Sequence, residues 1–322
     1  MYSSFDNKFM TNWVPYQLER FSKSVLCEWF YAGTNRFAEP FFDETIVRCM
    51  SHPYNSSPYK ATTTLESLID VSLRSTPIEP TAFIFHISRC GSTLLSQLLA
   101  IPERHIMVSE MPLIDSTLRH SYLTPAQKES VLAAVIRLLG RQRSGKESHL
   151  FIKLDSWHFG FYDTFRRLYP EVPFILLYRE PEAVMVSHQH RRGMHSVPGL
   201  IEPELFGLTL QEVRSMTLDE YLANVLESYF RTMLTMVETD HNAHLLRYQQ
   251  DGSALLNDLL ALISVDIQSS EMDRMIQRSQ FHSKFPEQRF REERANEIES
   301  ANRGSLRALY EELNEINRTS KS

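Results

Sequence analysis

The sequence predicts an α/β protein, a parallel sheet flanked by helices, preceded by a helical N-terminal extension over residues 1–80. Three observations predict it. From about residue 80 onward, short apolar runs of strand length recur, each bounded by turn residues and followed by a helical pattern. One of these runs passes through a Gly-Ser-Thr turn directly into leucines at helical spacing. The chain, 322 residues with 42% hydrophobic and 23% charged side chains, can bury a sizeable core and has no repeat or disordered bias.

In chain order, residues 1–80 carry aromatic clusters, Trp29-Phe30-Tyr31 and Phe41-Phe42, and turn-rich punctuation from Ser51 to Pro58. They read as helices and loops covering the main domain, with a substrate-contacting lid as the alternative, and the main domain occupies residues 81–322. Ala82 to Ile87 is a buried strand, and Leu94, Leu95, Leu98 and Leu99 mark the helix after the turn. Ile106-Met107-Val108 is a second strand. Thr124-Pro125-Ala126-Gln127 combines a cap residue, a proline at the first helical position and a glutamine three residues after the cap, which starts a helix running to about Leu139. Leu150 to Leu154 and Val172 to Tyr178 are further strands, and a helix begins at Pro181. Thr217-Leu218-Asp219-Glu220 caps a helix through about Val237, His244 to Tyr248 is a strand, and Ala254 to about Val265 returns as helix. A charged helix is expected around Glu292 to Leu313.

Composition narrows the partners. Lys+Arg 34 against Asp+Glu 40 gives a net charge of -6, which argues against nucleic acid or another polyanion as the main partner. Any anion site must be local. Cys27, Cys49 and Cys90 fit neither a disulfide framework nor a zinc pattern, so free thiols are expected. The N-terminus has no apolar signal region and the longest apolar runs are strand-sized, so the expectation is a cytoplasmic protein with no membrane span. His188 and His190, two apart, do not share a helix face, and no metal site is expected there; with His195 they are better read as nucleotide or acceptor contacts.

The chemistry centres on Ser88-Arg89-Cys90-Gly91-Ser92-Thr93. A turn feeding a helix N-terminus forms a concave nest of backbone N–H donors, and the helix dipole favours an anion there. Gly91 permits close approach, Ser92 and Thr93 add hydroxyl donors, and Arg89 adds a planar charged fork. The loop lacks the GxxxxGK[ST] spacing. A second arginine, Arg179, ends the strand Phe174 to Tyr178, and the helix from Pro181 carries Ser187 two turns on. Ligands of α/β sheets bind at the carboxyl ends of strands, so two arginines at two such ends imply a ligand with two anionic groups.

Arg89-Cys90-Gly91-Ser92-Thr93-Leu94 resembles the 5′-phosphosulfate loop of sulfotransferases that use 3′-phosphoadenosine 5′-phosphosulfate, a P-loop nucleotide-binding fold. Arg179, Pro181, Val184 and Ser187 keep the register of that family's 3′-phosphate motif. Arg247-Tyr248-Gln249-Gln250 echoes the family's Arg-Tyr-Glu element, with Gln249 in place of the usual glutamate. The resemblance spans about residues 80 to 265 and is similar to the arginine-type branch that includes tyrosylprotein and many bacterial sulfotransferases.

This resemblance implies in-line transfer of a sulfuryl group to a hydroxyl or amine of a small-molecule or peptide acceptor, without a metal. Arg89 would stabilise charge on the leaving oxygen, Ser92, Thr93 and the loop backbone would cradle the 5′-phosphate, and Cys90 would fill the small-residue slot. Arg179 and Ser187 would bind the 3′-phosphate, with Lys284 and its neighbours Arg289 and Arg291 either a basic C-terminal contribution to it or a solvated charge run. Glu110 stands where the arginine-type relatives place their catalytic glutamate, with Asp155 and His158 as rival bases, and Lys153 would meet the sulfonate or the acceptor. Two other readings remain open: a P-loop kinase for a small metabolite, for which the loop lysine is lacking because Ser92 follows Gly91, and a non-catalytic nucleotide-binding protein. Acceptor identity and oligomeric state are not legible.

Overall fold

The computed structural model describes residues 10–22, 24–281 and 303–320. Two sheets organise it. Strands β1 (Trp13–Phe21), β2 (Ser24–Tyr31) and β3 (Ala61–Thr64) form an antiparallel sheet in that order. Strands β4 (Pro80–His86), β5 (His105–Ser109), β6 (His149–Lys153), β7 (Phe174–Tyr178) and β8 (Ala243–Arg247) form a sheet of order β5–β6–β4–β7–β8 with parallel ladders, the expected architecture. Each of these five strands coincides with a short apolar run of the sequence. Runs buried on both faces are what a helix-covered parallel sheet demands.

The residues group into two compact units that interleave along the chain. One comprises Met1–Thr81, Leu99–Lys153 and Asp163–Pro170; the other comprises Ala82–Leu98, Leu154–Tyr162 and Glu171–Ser322.

The first unit contains the antiparallel sheet, the β5–β6 pair and the helices α1 (Phe42–Met50) and α2 (Leu65–Leu73). The extension therefore has helices, as expected, but also a three-stranded sheet in place of the helices and loops expected over residues 13–31. The pairing of Trp13 with Tyr31 through Phe21 with Ser24 shifts register between Pro15 and Gln17. A proline has no N–H for the ladder and belongs at such an irregularity. Trp29 and Phe30, read in sequence as an aromatic cluster, are strand residues buried to within 4% of full cover. The short helix α3 (Ser92–Leu99) of the other unit follows the Gly-Ser-Thr turn; the first unit continues with α4 (Pro112–Arg119) and α5 (Pro125–Leu139). At α5 the Thr124 Oγ accepts from the Gln127 N–H at 3.3 Å and Gln127 Oε1 accepts from the Thr124 N–H at 2.9 Å, the reciprocal cap that the sequence announced. Helix α6 (Tyr162–Leu168) closes this unit's elements.

In the second unit β4, β7 and β8 carry Phe83, Ile84, Phe85, Ile175, Leu176 and Leu246, all fully buried. Helices α7 (Pro181–His190), α8 (Leu210–Arg214), α9 (Leu218–Thr239), α10 (Gly252–Leu262), α11 (Ser269–Ser279) and α12 (Arg303–Thr319) follow in chain order. On α9 the side chains of Tyr221, Leu222, Val225, Leu226, Tyr229, Phe230 and Met233 are buried, one apolar stripe at helical spacing. Each such side chain contributes roughly 1.5–3 kcal/mol through burial. Among the described residues no helix is long and apolar enough to cross a membrane. Cys27, Cys49 and Cys90 are buried free thiols.

Candidate functional site

The loop between β4 and α3 has an unusual backbone. Ser88, Arg89 and Gly91 all hold positive φ, at 66°, 50° and 85°. L side chains rarely adopt this region, so two consecutive non-glycine residues held there mark a tightly constrained turn. The Ser88 N–H donates to His86 Nδ1 at 3.1 Å, and Leu95 N–H donates to the Gly91 carbonyl at 3.0 Å, starting the helix at once. Cys90 is fully buried and its thiol donates to the Leu177 carbonyl at 3.5 Å; burial pushes its pKa up to about 12. Its side chain is part of the packing.

Gly91 has a second reason to be glycine. A Cβ there would stand 2.6 Å from Tyr248 Cδ2 and 2.7 Å from Tyr248 Cε2. The Tyr248 ring thus lies against the loop, and the Arg179 guanidinium stacks over that ring at 4.5 Å. Arg179 Nη1 also donates to the Arg89 carbonyl at 3.1 Å, and Arg89 Nη2 donates to the Arg191 carbonyl at 2.6 Å, at the end of α7. Arg89, Cys90, Gly91, Ser92, Thr93 and Arg179 therefore belong to one constellation in the second unit. Ser187 stands on α7, on the helical face shared with Glu180 and Ala183. Glu180 and Ala183 border a cavity of about 500 Å³ whose walls also include Arg179, Arg247, Tyr248 and Tyr310. Lys284, with Arg289 and Arg291, lies outside the described residues.

In the first unit Glu110 and Lys153 come together. Glu110 follows β5 with φ at 52°, its N–H donates to the Lys153 carbonyl at 2.8 Å, and its Oε1 lies 2.9 Å from Lys153 Nζ. Lys153 is fully buried, and its ammonium is held by charge without an aligned hydrogen bond. The ammonium also faces the Phe41 ring at 5.0 Å. The Glu110 side chain keeps 21% exposure.

The rival bases are more enclosed. Asp155 caps the 3-10 turn Ser156–Phe161, its N–H donates to His158 Nδ1 at 3.3 Å, and the His158 side chain is 1% exposed. His188 and His195 are likewise buried and meet ring against ring at 5.0 Å, where the sequence suggested ligand contacts. Gly193 N–H donates to His188 Nδ1 at 3.2 Å, and His195 Nδ1 lies 3.1 Å from Ser156 Oγ. Burial first, then the charges of Arg89 and Arg192, lowers the His188 pKa to about 3.

The packing of Tyr248 on Gly91 was not legible, although Tyr248 was visible in Arg247-Tyr248-Gln249-Gln250 at a strand end. Of the other residues that border the cavity, Tyr310 gave no signal beyond the charged helix expected around Glu292 to Leu313, and Asn317 and Arg318, past its expected end, gave none.

No protein-family model matches the chain, and no curated protein matches it in sequence. Among solved structures it is similar to the sulfotransferase domain of the Synechococcus PCC 7002 olefin synthase, at 16% identity and a TM-score of 0.48 over 75% of this chain and 96% of that one. It is also similar to a Mycobacterium avium sulfotransferase, at 12% identity and a TM-score of 0.41 over 66% and 71% of the two chains. A mouse sulfotransferase solved with PAP is similar at 16% identity and a TM-score of 0.39 over 70% and 73%.

Proposed function

We propose that the protein is a sulfotransferase that moves a sulfuryl group from 3′-phosphoadenosine 5′-phosphosulfate to a hydroxyl or amine of a small-molecule or peptide acceptor. The observation that carries this reading is the loop left-handed at Ser88, Arg89 and Gly91, with the Arg179 guanidinium bonded to its Arg89 carbonyl. A donor nest at a helix N-terminus suits one phosphate, and a guanidinium beside it suits a second. The donor's 3′-phosphate distinguishes it from ATP, and Arg179, Ser187 and Lys284 are assigned to it.

Transfer breaks the bond from sulfur to the phosphate oxygen and forms one from sulfur to the acceptor oxygen or nitrogen. Negative charge grows on the departing phosphate oxygen, where Arg89 acts, with Ser92, Thr93 and the loop N–H groups holding the 5′-phosphate. Glu110 takes the acceptor proton, since its carboxylate remains partly open while His158 is enclosed. Lys153, fully buried, holds Glu110 in place in preference to meeting the sulfonate itself. No metal is required on this reading, because guanidinium groups supply the positive charge that magnesium supplies in kinases. The net charge of -6 suits an acceptor that is not a polyanion, and a cytoplasmic setting goes with free thiols.

The test is single-turnover transfer from labelled donor. Arg89→Ala should lower the rate by roughly 10²–10³ at every pH, as expected for a lost charge stabiliser, and EDTA should change nothing. Transfer from ATP with strict magnesium dependence would replace this reading with the kinase one.

A further inference from the structure

We infer that the C-terminal helix α12 is a wall of the donor site and takes part in holding the base and sugar of a 3′-phosphorylated purine nucleotide; this rests on the sulfotransferase reading above. The sequence resemblance ends near residue 265, so nothing in it reaches Arg303–Thr319.

The cavity beyond the ends of β7 and β8 carries the inference. Its volume of about 500 Å³ is within the ~300–1,000 Å³ range of small-ligand pockets. On one side stand Arg179 and the first turn of α7; on the other stand Tyr310, Asn317 and Arg318 of α12. Tyr310 is buried, with the Arg247 guanidinium 5.8 Å and that of Arg307 5.4 Å from its ring centre. Asn317 is only 7% exposed. Its amide shares a hydrogen bond with the Tyr178 hydroxyl and keeps a further donor and acceptor for a purine edge. Arg247 and Arg318 add positive charge to that of Arg179 for a phosphate, although Arg318 Nη1 also donates to Glu315 Oε2 at 3.3 Å.

Two carboxylates also border the cavity, and both are engaged. Glu180 Oε1 accepts from Arg307 Nη1 at 2.7 Å, and Asp258 Oδ2 accepts from Gln249 Nε2 at 2.5 Å, which fixes the Gln249 amide. Arg307 also lies 3.7 Å from Glu182 and 2.7 Å from Glu311, so α12 is latched to the first turn of α7, the helix that carries Ser187. Tyr178 OH donates to Asn314 Oδ1 at 3.1 Å and joins α12 to the end of β7. A ligand filling the cavity therefore touches both sides of a built contact. Its binding should hold α12 down.

The test is hydrogen exchange on the full chain with and without 3′,5′-ADP. Exchange should slow in peptides over Arg89–Leu95 and also over Leu309–Arg318. Arg318→Ala should weaken 3′,5′-ADP by about tenfold or more, as for a lost charged contact. Arg231→Ala, on an exposed arginine of α9 paired with Glu227, should leave affinity unchanged. Slowing confined to the loop, with Arg318→Ala binding as the parent chain does, would overturn the role of α12 and leave the donor reading standing. No slowing anywhere would overturn both.

Discussion

Glu110 holds a left-handed backbone at the end of β5 and offers its carboxylate to a lysine that no water reaches. Removing one partner of a buried pair strands the other charge, so Glu110→Gln should destabilise the fold by about 3 kcal/mol in urea unfolding, and Glu110→Gln with Lys153→Met should recover part of that loss. The single variant should keep nucleotide affinity nearly intact while turnover falls by roughly 10²–10⁴. Full turnover in Glu110→Gln, with loss in Asp155→Asn, would move the base to Asp155. His188 makes a separate prediction. It is neutral in the folded chain because burial lowers its pKa from 6.5 to about 3. As pH falls below 6.5 the unfolded chain takes up a proton that the folded chain refuses, so the stability present above 6.5 is lost progressively down to about 3. The parent chain should lose about 1.4 kcal/mol per pH unit more than His188→Gln across that window. Parallel stability curves for the two would show that the imidazole already titrates alike in both states.

The β4–loop–α3 element combines what sequence could say with what it could not. Arg89, Gly91 and the helix start were legible because strand, turn and leucine spacing follow one another along the chain. The Tyr248 ring against Gly91 was not, because that contact joins segments remote in sequence. Gly91→Ala meets both obstacles, a φ of 85° and a Cβ 2.6 Å from a ring held beneath Arg179. It should destabilise by roughly 1–3 kcal/mol in thermal unfolding and weaken nucleotide binding, whereas unchanged stability would mean that the loop relaxes freely. The capping boxes at Thr124 and Thr217 were legible because their signal is confined to four consecutive residues. The β1–β2 pair was not. Pro15 interrupts its alternation, and the buried Glu28 sits among its aromatic residues, accepting from Tyr16 OH at 2.7 Å and Lys60 Nζ at 2.9 Å. A strand that buries a carboxylate does not read as one until its partners are seen.

For the whole molecule, the five parallel strands were legible as apolar runs, while the grouping into two interleaved units depends on contacts between distant segments. The net charge of -6 makes the arginines of the candidate site a local exception, so on the proposed reading donor recognition comes from placement and not from overall attraction. That claim is tested most directly by calorimetry comparing 3′,5′-ADP with 5′-AMP in the parent chain, Arg179→Ala and Ser187→Ala. The account predicts that the parent chain strongly prefers the bisphosphate and that Arg179→Ala loses about 1.5–3 kcal/mol of binding to it, with a smaller loss in Ser187→Ala and little change for 5′-AMP in either variant. Equal affinity of the parent chain for the two nucleotides, or equal losses for both in Arg179→Ala, would contradict it.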